Sequence, residues 1–333
     1  MKELLERVMA GLTLEPREAE VLFEAVADGR LEPVLLSAFL VAMRMRGERA
    51  EELSVLAKVM IGRARTIAPR RRPLLDIVGT GGDGLSTLNI STLSALIVAG
   101  AGVAVAKHGN RAVSSSSGSA DVLLALGLRI DAPPGIMARA IDEVGFGFLF
   151  APLYHPAMAH AAPVRQQLGI RTLFNYLGPL INPADPEYLL VGTPTQQGAR
   201  IMAQALRLLG KRAMVIHGLE GLDEVSPQGE TLVLEVTPKG ITERILLPED
   251  FGLDPLPIES IKARAPGEAF ERARRILRGE SDPGLQAVLM EGALGLYLVG
   301  KTTELPEGVR ILREVVASGK AWEVLQRAKE MVG

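Results

Sequence analysis

Residues 74–92 read Leu-Leu-Asp-Ile-Val-Gly-Thr-Gly-Gly-Asp-Gly-Leu-Ser-Thr-Leu-Asn-Ile-Ser-Thr. The apolar run Leu74–Val78 predicts a strand, and the apolar residues Leu93–Ala99 predict a helix. Between them, glycines let the backbone approach a ligand and turn its N–H groups inward. The start of the helix adds unpaired N–H donors and the favourable end of the helix dipole. This stretch therefore predicts a phosphate-binding turn between a strand and a helix.

Composition limits the classes of protein to be considered. Of the 333 residues, 47% are hydrophobic and 23% are charged, as in globular proteins. The absence of cysteine excludes disulfides, zinc–thiolate sites and cysteine nucleophiles. The formal net charge is −2, and the longest apolar stretch is too short to span a bilayer. We therefore expect a cytoplasmic protein with neither nucleic acid nor a membrane as a partner.

The chain is divided by a change in its apolar pattern. Residues 1–68 predict only helices, one of them capped at Thr13 with Pro16 in its first turn. Later residues predict strands alternating with helices, and then a hairpin at Pro238-Lys239-Gly240. The expected fold class is α/β, with a small all-helical N-terminal domain and a larger domain whose mainly parallel sheet is flanked by helices. The strand candidates of the alternating part are Leu74–Val78, Val103–Ala106, Gly145–Phe150, Tyr188–Val191 and Ala213–His217.

Residues 158–183 interrupt that alternation with a helix-like run and a segment rich in glycine and proline. We expect them to return to the helical domain. The helical domain would then comprise 1–68 and 158–183, and the α/β domain 74–157 and 184–333. Three arginines, residues 70–72, lie between two prolines in the connection. They favour a solvated hinge over a nucleic-acid patch, since no aromatic residues are interleaved.

A second loop at a strand end carries cations and hydroxyls. Residues 107–121 read Lys-His-Gly-Asn-Arg-Ala-Val-Ser-Ser-Ser-Ser-Gly-Ser-Ala-Asp. Lys107 and Arg111 can neutralise phosphate charge. A serine run is often a flexible linker, but its position at the end of a parallel strand favours a ligand site. Lys107 also stands where a dinucleotide site would need an acidic residue, and a cation there favours phosphate over ribose hydroxyls. Two such loops on one edge of the sheet favour a ligand with more than one phosphate.

Three further features suggest chemistry. Asp223 and Glu224 follow a strand and suit Mg²⁺, with the Ser91 hydroxyl completing the set, although a solvated acidic turn is the alternative. Arg165 suits a two-point grip on a carboxylate, although a surface arginine has the same signature. His108 is a candidate to orient a substrate or to accept a proton. We expect no covalent nucleophile.

Together these motifs resemble the anthranilate phosphoribosyltransferase family over nearly the whole chain. The resemblance implies transfer of the phosphoribosyl group of phosphoribosyl pyrophosphate to the amine of anthranilate, in tryptophan biosynthesis. It also implies a magnesium cofactor and a homodimer formed through the helical domain. Two positions beside the motifs depart from residues common in the family, Leu88 where phenylalanine is frequent and Ala159 where lysine is frequent.

The same resemblance assigns binding residues. Those implied for phosphoribosyl pyrophosphate are Gly79, Gly82, Asp83, Thr87, Asn89, Ser91, Thr92, Lys107, Ser115, Ser116, Ser117, Gly118 and Ser119. Those implied for anthranilate are Gly79, His108, Asn110, Tyr154, His155, Arg165 and Gly178, and those for magnesium are Ser91, Asp223 and Glu224. There are two rival functions. The first is a pyrimidine nucleoside phosphorylase, but residues 107–111 do not match the lysine/serine loop of those enzymes. The second is a non-catalytic nucleic-acid-binding relative, which the slightly acidic net charge disfavours.

Overall fold

Four helices form the N-terminal part of the molecule. The computed structural model describes residues 1–111, 118–263 and 265–333. Helix α2 starts at Pro16, and its cap is Glu15, whose N–H donates to Glu18 Oε2 at 2.9 Å. The predicted cap at Thr13 is therefore wrong, because a glutamate pair closes this helix start instead. The helices are α1 (Lys2–Met9), α2 (Pro16–Ala27), α3 (Pro33–Arg46) and α4 (Ala50–Ile61).

The rest of the chain alternates strands and helices and ends in four helices. In chain order these elements are β1 (Leu74–Gly79), α5 (Ile90–Gly100), β2 (Ala104–Gly109), α6 (Ser119–Ala125), α7 (Pro134–Val144), β3 (Phe146–Phe150), α8 (Ala151–Tyr154), α9 (Met158–Leu168), β4 (Tyr188–Gly192), α10 (Gln196–Leu208), β5 (Arg212–Gly218), β6 (Thr231–Thr237), β7 (Gly240–Leu246), α11 (Pro266–Leu277), α12 (Leu285–Leu298), α13 (Leu305–Ala317) and α14 (Lys320–Val332). Short 3-10 helices lie at Leu173–Tyr176, Gly178–Leu180, Pro248–Phe251 and Ile258–Ile261.

The strands form one sheet in the order β3-β2-β1-β4-β5-β6-β7. Strands β1 to β5 are parallel, and β6 and β7 add an antiparallel hairpin at the edge. This confirms the predicted helical part and the mainly parallel sheet flanked by helices. The order reverses between β1 and β4, and a crevice opens at such a point in α/β sheets.

Strand β2 is longer than its apolar run predicts. It continues through Lys107 and His108, which pair with Phe148 and Leu149 of β3. Polar residues enter the strand because backbone pairing with β3 continues past the last small apolar side chain. Lys107 and His108 therefore belong to the sheet itself, rather than to the loop that the sequence predicts.

The two faces of the sheet contribute to two separate apolar cores. Ile77 of β1 and Leu190 of β4 belong to a core that α5 and α12 complete. Their neighbours Val78 and Val191 belong to a second core that extends through α10 into the N-terminal helices. This alternation is the period of two that a strand imposes on its side chains. None of the helices in the described part of the chain is long and apolar enough to cross a membrane.

The connection between α4 and β1 is bound to the body of the protein. Arg71 N–H donates to Asp142 Oδ1 at 2.8 Å, and the Arg71 side chain donates to a backbone carbonyl. Arg72 pairs with Glu187 at 2.8 Å and donates to two further carbonyls. The expectation of a solvated hinge is therefore wrong at Arg71 and Arg72, because their side chains bridge neighbouring elements. Only Arg70 of the three is largely exposed.

Candidate active site

A pair of glycines marks the ends of β1 and β4. Strand register pairs Gly79 with Gly192. A Cβ on Gly79 would lie 2.6 Å from Oδ2 of Asp223, and a Cβ on Gly192 would lie 1.6 Å from the Asp223 carbonyl oxygen. Both glycines therefore leave the space that Asp223, from the loop after β5, occupies. This space lies at the reversal of strand order, where α/β sheets bind their ligands.

The glycine-rich loop after β1 is held from two sides. Gly81 and Gly82 have φ values of +66° and +83°, which suit glycine. Gly81 N–H donates to Asp223 Oδ2 at 2.7 Å, and its carbonyl accepts from Nη1 of Arg171 at 2.5 Å. Oδ2 of Asp83 is buried and has no hydrogen-bond partner among the described residues. The loop thus brings backbone groups and an unpaired carboxylate oxygen to the crevice.

The first turn of α5 lies against the acidic loop. Asn89 is the N-cap residue, and Ser91 and Thr92 follow in the first turn. Ser91 N–H lies 3.4 Å from Oε1 of Glu224, which places a carboxylate where the helix dipole favours negative charge. The Thr92 hydroxyl is buried with no partner in the described part of the chain. Thr87 lies just before the helix in an isolated β-bridge.

Four carboxylates crowd together beneath this edge of the sheet. Burial raises the pKa of Asp223 well above its usual value, and the charges of Glu224 and Asp83 raise it further. Burial also raises the pKa of Glu224, with Glu291 of α12 as the next cause. Burial raises the pKa of Glu291 as well, and its Oε2 has no hydrogen-bond partner among the described residues. The site therefore concentrates negative charge that protein groups only partly compensate.

This donor set fits a hard divalent cation. Asp223, Glu224 and the Ser91 hydroxyl could supply oxygen ligands, and unpaired oxygens of Asp83 and Glu291 lie in the same cluster. Within residues 1–111, 118–263 and 265–333, no group of three or more histidine, aspartate or glutamate side chains is arranged so that it could hold a metal ion by itself. Mg²⁺ commonly binds one or two carboxylates together with water and substrate phosphates. The carboxylates therefore suit a metal shared with a phosphate ligand.

Lys107 brings a buried cation to the same place. Its side chain is 1% exposed, and Nζ lies 2.5 Å from the Ile77 carbonyl and 3.4 Å from the Ser91 hydroxyl. Burial lowers the pKa of Lys107, and the charges of Asp76 and Glu224 oppose that shift. A buried lysine beside a helix start and a glycine-rich loop is suited to neutralise an anion.

A hydrogen-bond network orients His108. Its Nδ1 lies 2.9 Å from the Gly178 carbonyl, and its backbone N–H donates to Asp76 at 3.2 Å. The Asn182 amide donates to Asp76 at 2.8 Å and to the Ala106 carbonyl at 2.7 Å. Burial raises the pKa of Asp76 to about 6 and lowers the pKa of His108 to about 4. His108 is therefore neutral at pH 7, with its proton on Nδ1 and the lone pair of Nε2 free.

Two aromatic residues and an arginine belong to α8, α9 and the connection between them. The His155 ring lies 5.1 Å from that of His108, and burial followed by the charge of His108 lowers the pKa of His155 to about 3. The Tyr154 hydroxyl is buried without a partner among the described residues, and burial raises its pKa. The Arg165 guanidinium lies 5.4 Å from the Phe174 ring centroid and is half-buried, which lowers its pKa. No carboxylate of the described residues pairs with Arg165.

The loop after β2 is described at its two ends. The Asn110 carbonyl accepts from the Ser119 hydroxyl at 3.2 Å, which closes the loop at the start of α6. Gly118 is the N-cap residue of that helix. The predicted phosphate contacts at Ser115, Ser116 and Ser117 lie outside the described residues.

Three residues of the site were not identified from the sequence. Asp76 and Glu291 are charges inside apolar runs, a pattern that signals a buried functional carboxylate but does not name its partner. Arg171, which follows α9, reaches the glycine-rich loop, 90 positions away in the sequence. Such contacts depend on the packing of distant elements and cannot be read from local pattern.

Comparison with protein families gives two matches that together span most of the chain. Residues 2–64 match the helical bundle domain of the glycosyl transferase family, and residues 71–322 match the a/b domain of the same family. The border between the matches falls in the connection that carries the three arginines.

Individual relatives that align with nearly the whole chain share the name anthranilate phosphoribosyltransferase. Anthranilate phosphoribosyltransferase of Thermus thermophilus is 48% identical over 326 residues, which cover 98% of each chain, and that of Thermomicrobium roseum is 43% identical, covering 98% of this chain and 95% of its own. The crystal structure of the Thermus thermophilus enzyme superposes with a TM-score of 0.93 at 47% identity, covering 98% of each chain. The enzyme from Saccharomyces cerevisiae, solved in complex with PRPP and Mg, gives 0.91 at 27% identity, covering 98% of this chain and 96% of that one. The chain therefore belongs to the anthranilate phosphoribosyltransferase family.

Proposed function

We propose that this protein transfers the phosphoribosyl group of phosphoribosyl pyrophosphate to the amine of anthranilate. The products are N-(5-phosphoribosyl)anthranilate and pyrophosphate, in tryptophan biosynthesis. One observation carries the proposal: the glycine-rich loop, the start of α5, buried Lys107 and the Asp223–Glu224 pair meet at one edge of the sheet. Cations, free backbone donors and metal-binding oxygens in one crevice suit a substrate with a diphosphate group.

Phosphoribosyl pyrophosphate would occupy the glycine-rich loop and the start of α5. Gly79 and Gly82 would admit its phosphates close to the backbone, and the hydroxyls of Ser91 and Thr92 would donate to them. The unpaired Thr92 hydroxyl supports this assignment, because a buried hydroxyl without a partner is costly unless a ligand satisfies it. The predicted contacts of Asp83, Thr87, Asn89, Gly118, Ser119 and Ser115–Ser117 complete this part of the proposal.

Anthranilate would lie between the sheet and the segment that follows α8. We assign residues 158–183 to the helical domain, because α9 packs against α2 and α3. Arg165 on α9 would then grip the carboxylate of anthranilate with two parallel hydrogen bonds. The Gly178 carbonyl sets the tautomer of His108, and the free Nε2 of that ring would accept a hydrogen bond from the amine. Asn110, Tyr154, His155 and Gly79 complete the proposed pocket.

The chemistry requires stabilisation of charge more than a strong base. As the bond from ribose C1 to the diphosphate oxygen breaks, the sugar becomes oxocarbenium-like and the leaving group gains negative charge. Lys107 and the N–H groups of the loop would stabilise the leaving group, and Arg165 would hold the nucleophile in line. The aromatic amine is neutral at pH 7 and needs no prior deprotonation. No covalent nucleophile is required.

Magnesium is the proposed cofactor, held by Asp223, Glu224 and Ser91. When bound, it would neutralise charge on the diphosphate as it leaves. The support from this chain is the raised pKa of both carboxylates and the unpaired oxygens beside them, since a divalent cation relieves their repulsion.

The proposal is tested by mixing the purified protein with anthranilate, phosphoribosyl pyrophosphate and MgCl₂. Anthranilate fluorescence should fall as product forms, and the change should require all three components. The Asp223→Asn, Glu224→Gln double variant should fold but lose magnesium-dependent turnover. Phosphorolysis of thymidine or uridine in place of this reaction would instead identify a nucleoside phosphorylase. An unchanged magnesium titration in the double variant would refute the metal assignment.

A further inference from the structure

Arg171 joins the segment after α9 to the glycine-rich loop. Its Nη1 donates to the Gly81 carbonyl at 2.5 Å, and the guanidinium lies so close to Gly82 that a Cβ there would be 1.6 Å from Nη1. Its Nη2 is buried and has no hydrogen-bond partner among the described residues. None of the described carboxylates forms an ion pair with Arg171. The charge is therefore directed at the loop and is not compensated by the protein.

The backbone around Arg171 is fixed on both sides. Gly169, with φ of +62°, ends α9 two residues earlier. Thr172, the next residue, caps the 3-10 helix Leu173–Tyr176, and its N–H donates to Asn175 Oδ1 at 2.8 Å. Because α9 packs on α2 and α3, Arg171 extends from the helical side of the cleft. Its contact with Gly81 therefore links the two walls of the cleft.

The contact sets the direction of one peptide group. A trans peptide is planar, so the Gly81 carbonyl and the Gly82 N–H point in opposite directions. With the carbonyl fixed by Arg171, the Gly82 N–H points away from the guanidinium. Glycines with positive φ turn readily, and a charge-assisted hydrogen bond limits that freedom. On the preceding peptide, Asp223 fixes the Gly81 N–H in the same way.

We propose that Arg171 is a positioning residue for the phosphate-binding loop. By fixing the Gly81–Gly82 peptide, it holds the loop in the form that receives the diphosphate of the substrate, and so increases affinity for that substrate. The proposal rests on the function proposed above and deepens it. It also separates Arg171 from Arg165, six residues earlier in the chain, whose assigned ligand is the anthranilate carboxylate.

Calorimetry tests the proposal by titrating the protein with phosphoribosyl pyrophosphate in MgCl₂, and separately with anthranilate in the presence of pyrophosphate and MgCl₂. Arg171→Gln should weaken binding of phosphoribosyl pyrophosphate by roughly tenfold, the size expected for loss of one charge-assisted hydrogen bond, and change anthranilate binding by less than about twofold. Arg171→Lys keeps a charged donor and should recover part of the loss. Arg139→Gln removes an exposed arginine of α7 and should match the wild type.

A second experiment uses the glycines of the loop. Gly82→Ala and Gly84→Ala both place a side chain at positive φ, but only the first would meet Arg171, since nothing lies within 4 Å of a Cβ on Gly84. Gly82→Ala should therefore weaken binding of phosphoribosyl pyrophosphate more than Gly84→Ala. In an Arg171→Ala background, the difference between the two should become smaller, because the clash with the guanidinium is removed.

The outcomes separate this inference from the proposed function. If the wild-type protein binds phosphoribosyl pyrophosphate and Arg171→Gln binds it equally well, the inference is wrong and the function stands. An equal loss of both ligands in a folded Arg171→Gln variant would also overturn it, because a purely structural role would have that effect. Absence of binding by the wild-type protein would overturn the proposed function itself.

Discussion

At the scale of single residues, the cleft is defined by buried charge that the protein leaves uncompensated. Lys107 is buried among Asp76, Glu224 and Glu291, and Asp223 lies close to Glu224. Buried charges of one sign destabilise a fold unless a partner arrives. This arrangement supports the proposal that a cation and a polyphosphate bind in the cleft.

Substitution of Arg165 tests the proposed binding site for anthranilate. It is half-buried and has no carboxylate partner among the described residues, so its charge is available to a ligand. Arg165→Ala should raise the KM for anthranilate by about tenfold to a hundredfold, since a two-point charged grip is worth roughly 1.5–3 kcal/mol. The KM for phosphoribosyl pyrophosphate should change little. Steady-state kinetics with each substrate varied in turn measures both values, and equal effects would refute the assignment.

His155 makes the fold sensitive to acid. The pKa of His155 is 6.5 when the side chain is unperturbed, as in the unfolded chain, and about 3 in the folded protein. Between pH 6.5 and pH 3 the unfolded chain therefore binds the proton more readily than the folded protein does. The stability that His155 contributes is complete above pH 6.5 and is lost as pH falls toward 3, with an upper bound of about 5 kcal/mol. In urea unfolding at pH 4 to 7, His155→Gln should flatten the dependence of the free energy of unfolding on pH. His160→Gln, on the exposed face of α9, should not change it; a wild-type slope in His155→Gln would contradict the prediction.

The sequence was sufficient to predict the groups of the site that stand in continuous motifs. Gly79, Lys107 and Asp223 each follow an apolar run, and parallel strands bring such ends to one edge. The partner of Lys107 at Asp76 and the reach of Arg171 to Gly81 were not predictable, because they depend on how separate elements pack in three dimensions. The individual ligand roles stay predictions.

At the scale of elements, a buried ion pair fastens the helical part. Glu52 of α4 pairs with Arg46 of α3, and both side chains are almost fully buried. Glu52 Oε1 also accepts from the Leu14 N–H at 2.9 Å, and Arg46 donates to the Leu12 carbonyl at 2.6 Å. The pair thus ties the connection between α1 and α2 to the two following helices.

Removal of Glu52 should destabilise the protein strongly. Glu52→Ala leaves Arg46 buried without its counter-charge, which costs about 3–5 kcal/mol. The double variant Arg46→Met, Glu52→Leu should cost less, because no charge remains buried. Glu51→Ala, at the exposed neighbouring position, should stay within about 0.5 kcal/mol of the wild type. Chemical unfolding curves of the four proteins measure these differences, and a double variant weaker than Glu52→Ala would contradict the account.

Strands were predicted more accurately than helix caps. Each of the five strand candidates from Leu74–Val78 onward is a strand with bounds shifted by one to three residues, because burial on both faces favours continuous apolar sequence. The cap of α2 was missed, because Glu15 and Glu18 use a reciprocal glutamate pair rather than a hydroxyl. Several capping arrangements of similar energy compete at the start of a helix, and the sequence pattern does not show which one is the most stable.

At the scale of the whole molecule, exposed apolar side chains concentrate on the N-terminal helices. Of eleven large apolar side chains that are exposed in the described residues, six lie in residues 1–45. Val34 and Met45 are 80% and 84% exposed, at the two ends of α3. Apolar patches on a protein surface often mark an interface. From these exposed side chains and the family resemblance, we propose that two copies associate through the helical domain.

Charged residues substituted into that surface should prevent association of two copies of the chain. If two copies associate there, the wild type should sediment as two chains and the Val34→Asp, Met45→Glu variant as one, because each charge would lose its hydration in the interface. Leu208→Glu, an exposed apolar position on α10, is the matched control and should leave the wild-type mass unchanged. Sedimentation velocity reports all three, and a dimeric double variant would place the contact elsewhere.

The shared apolar core has a practical consequence for dissecting the molecule. Val78, Val191 and Val215 of the sheet lie in the same cluster as the interior of α2, α3 and α4, with α10 between them. A chain severed after residue 68 would give two fragments, each with freshly uncovered hydrophobic surface. We expect each fragment to aggregate when it is produced alone. Co-expression of both fragments in one cell should let them reassemble.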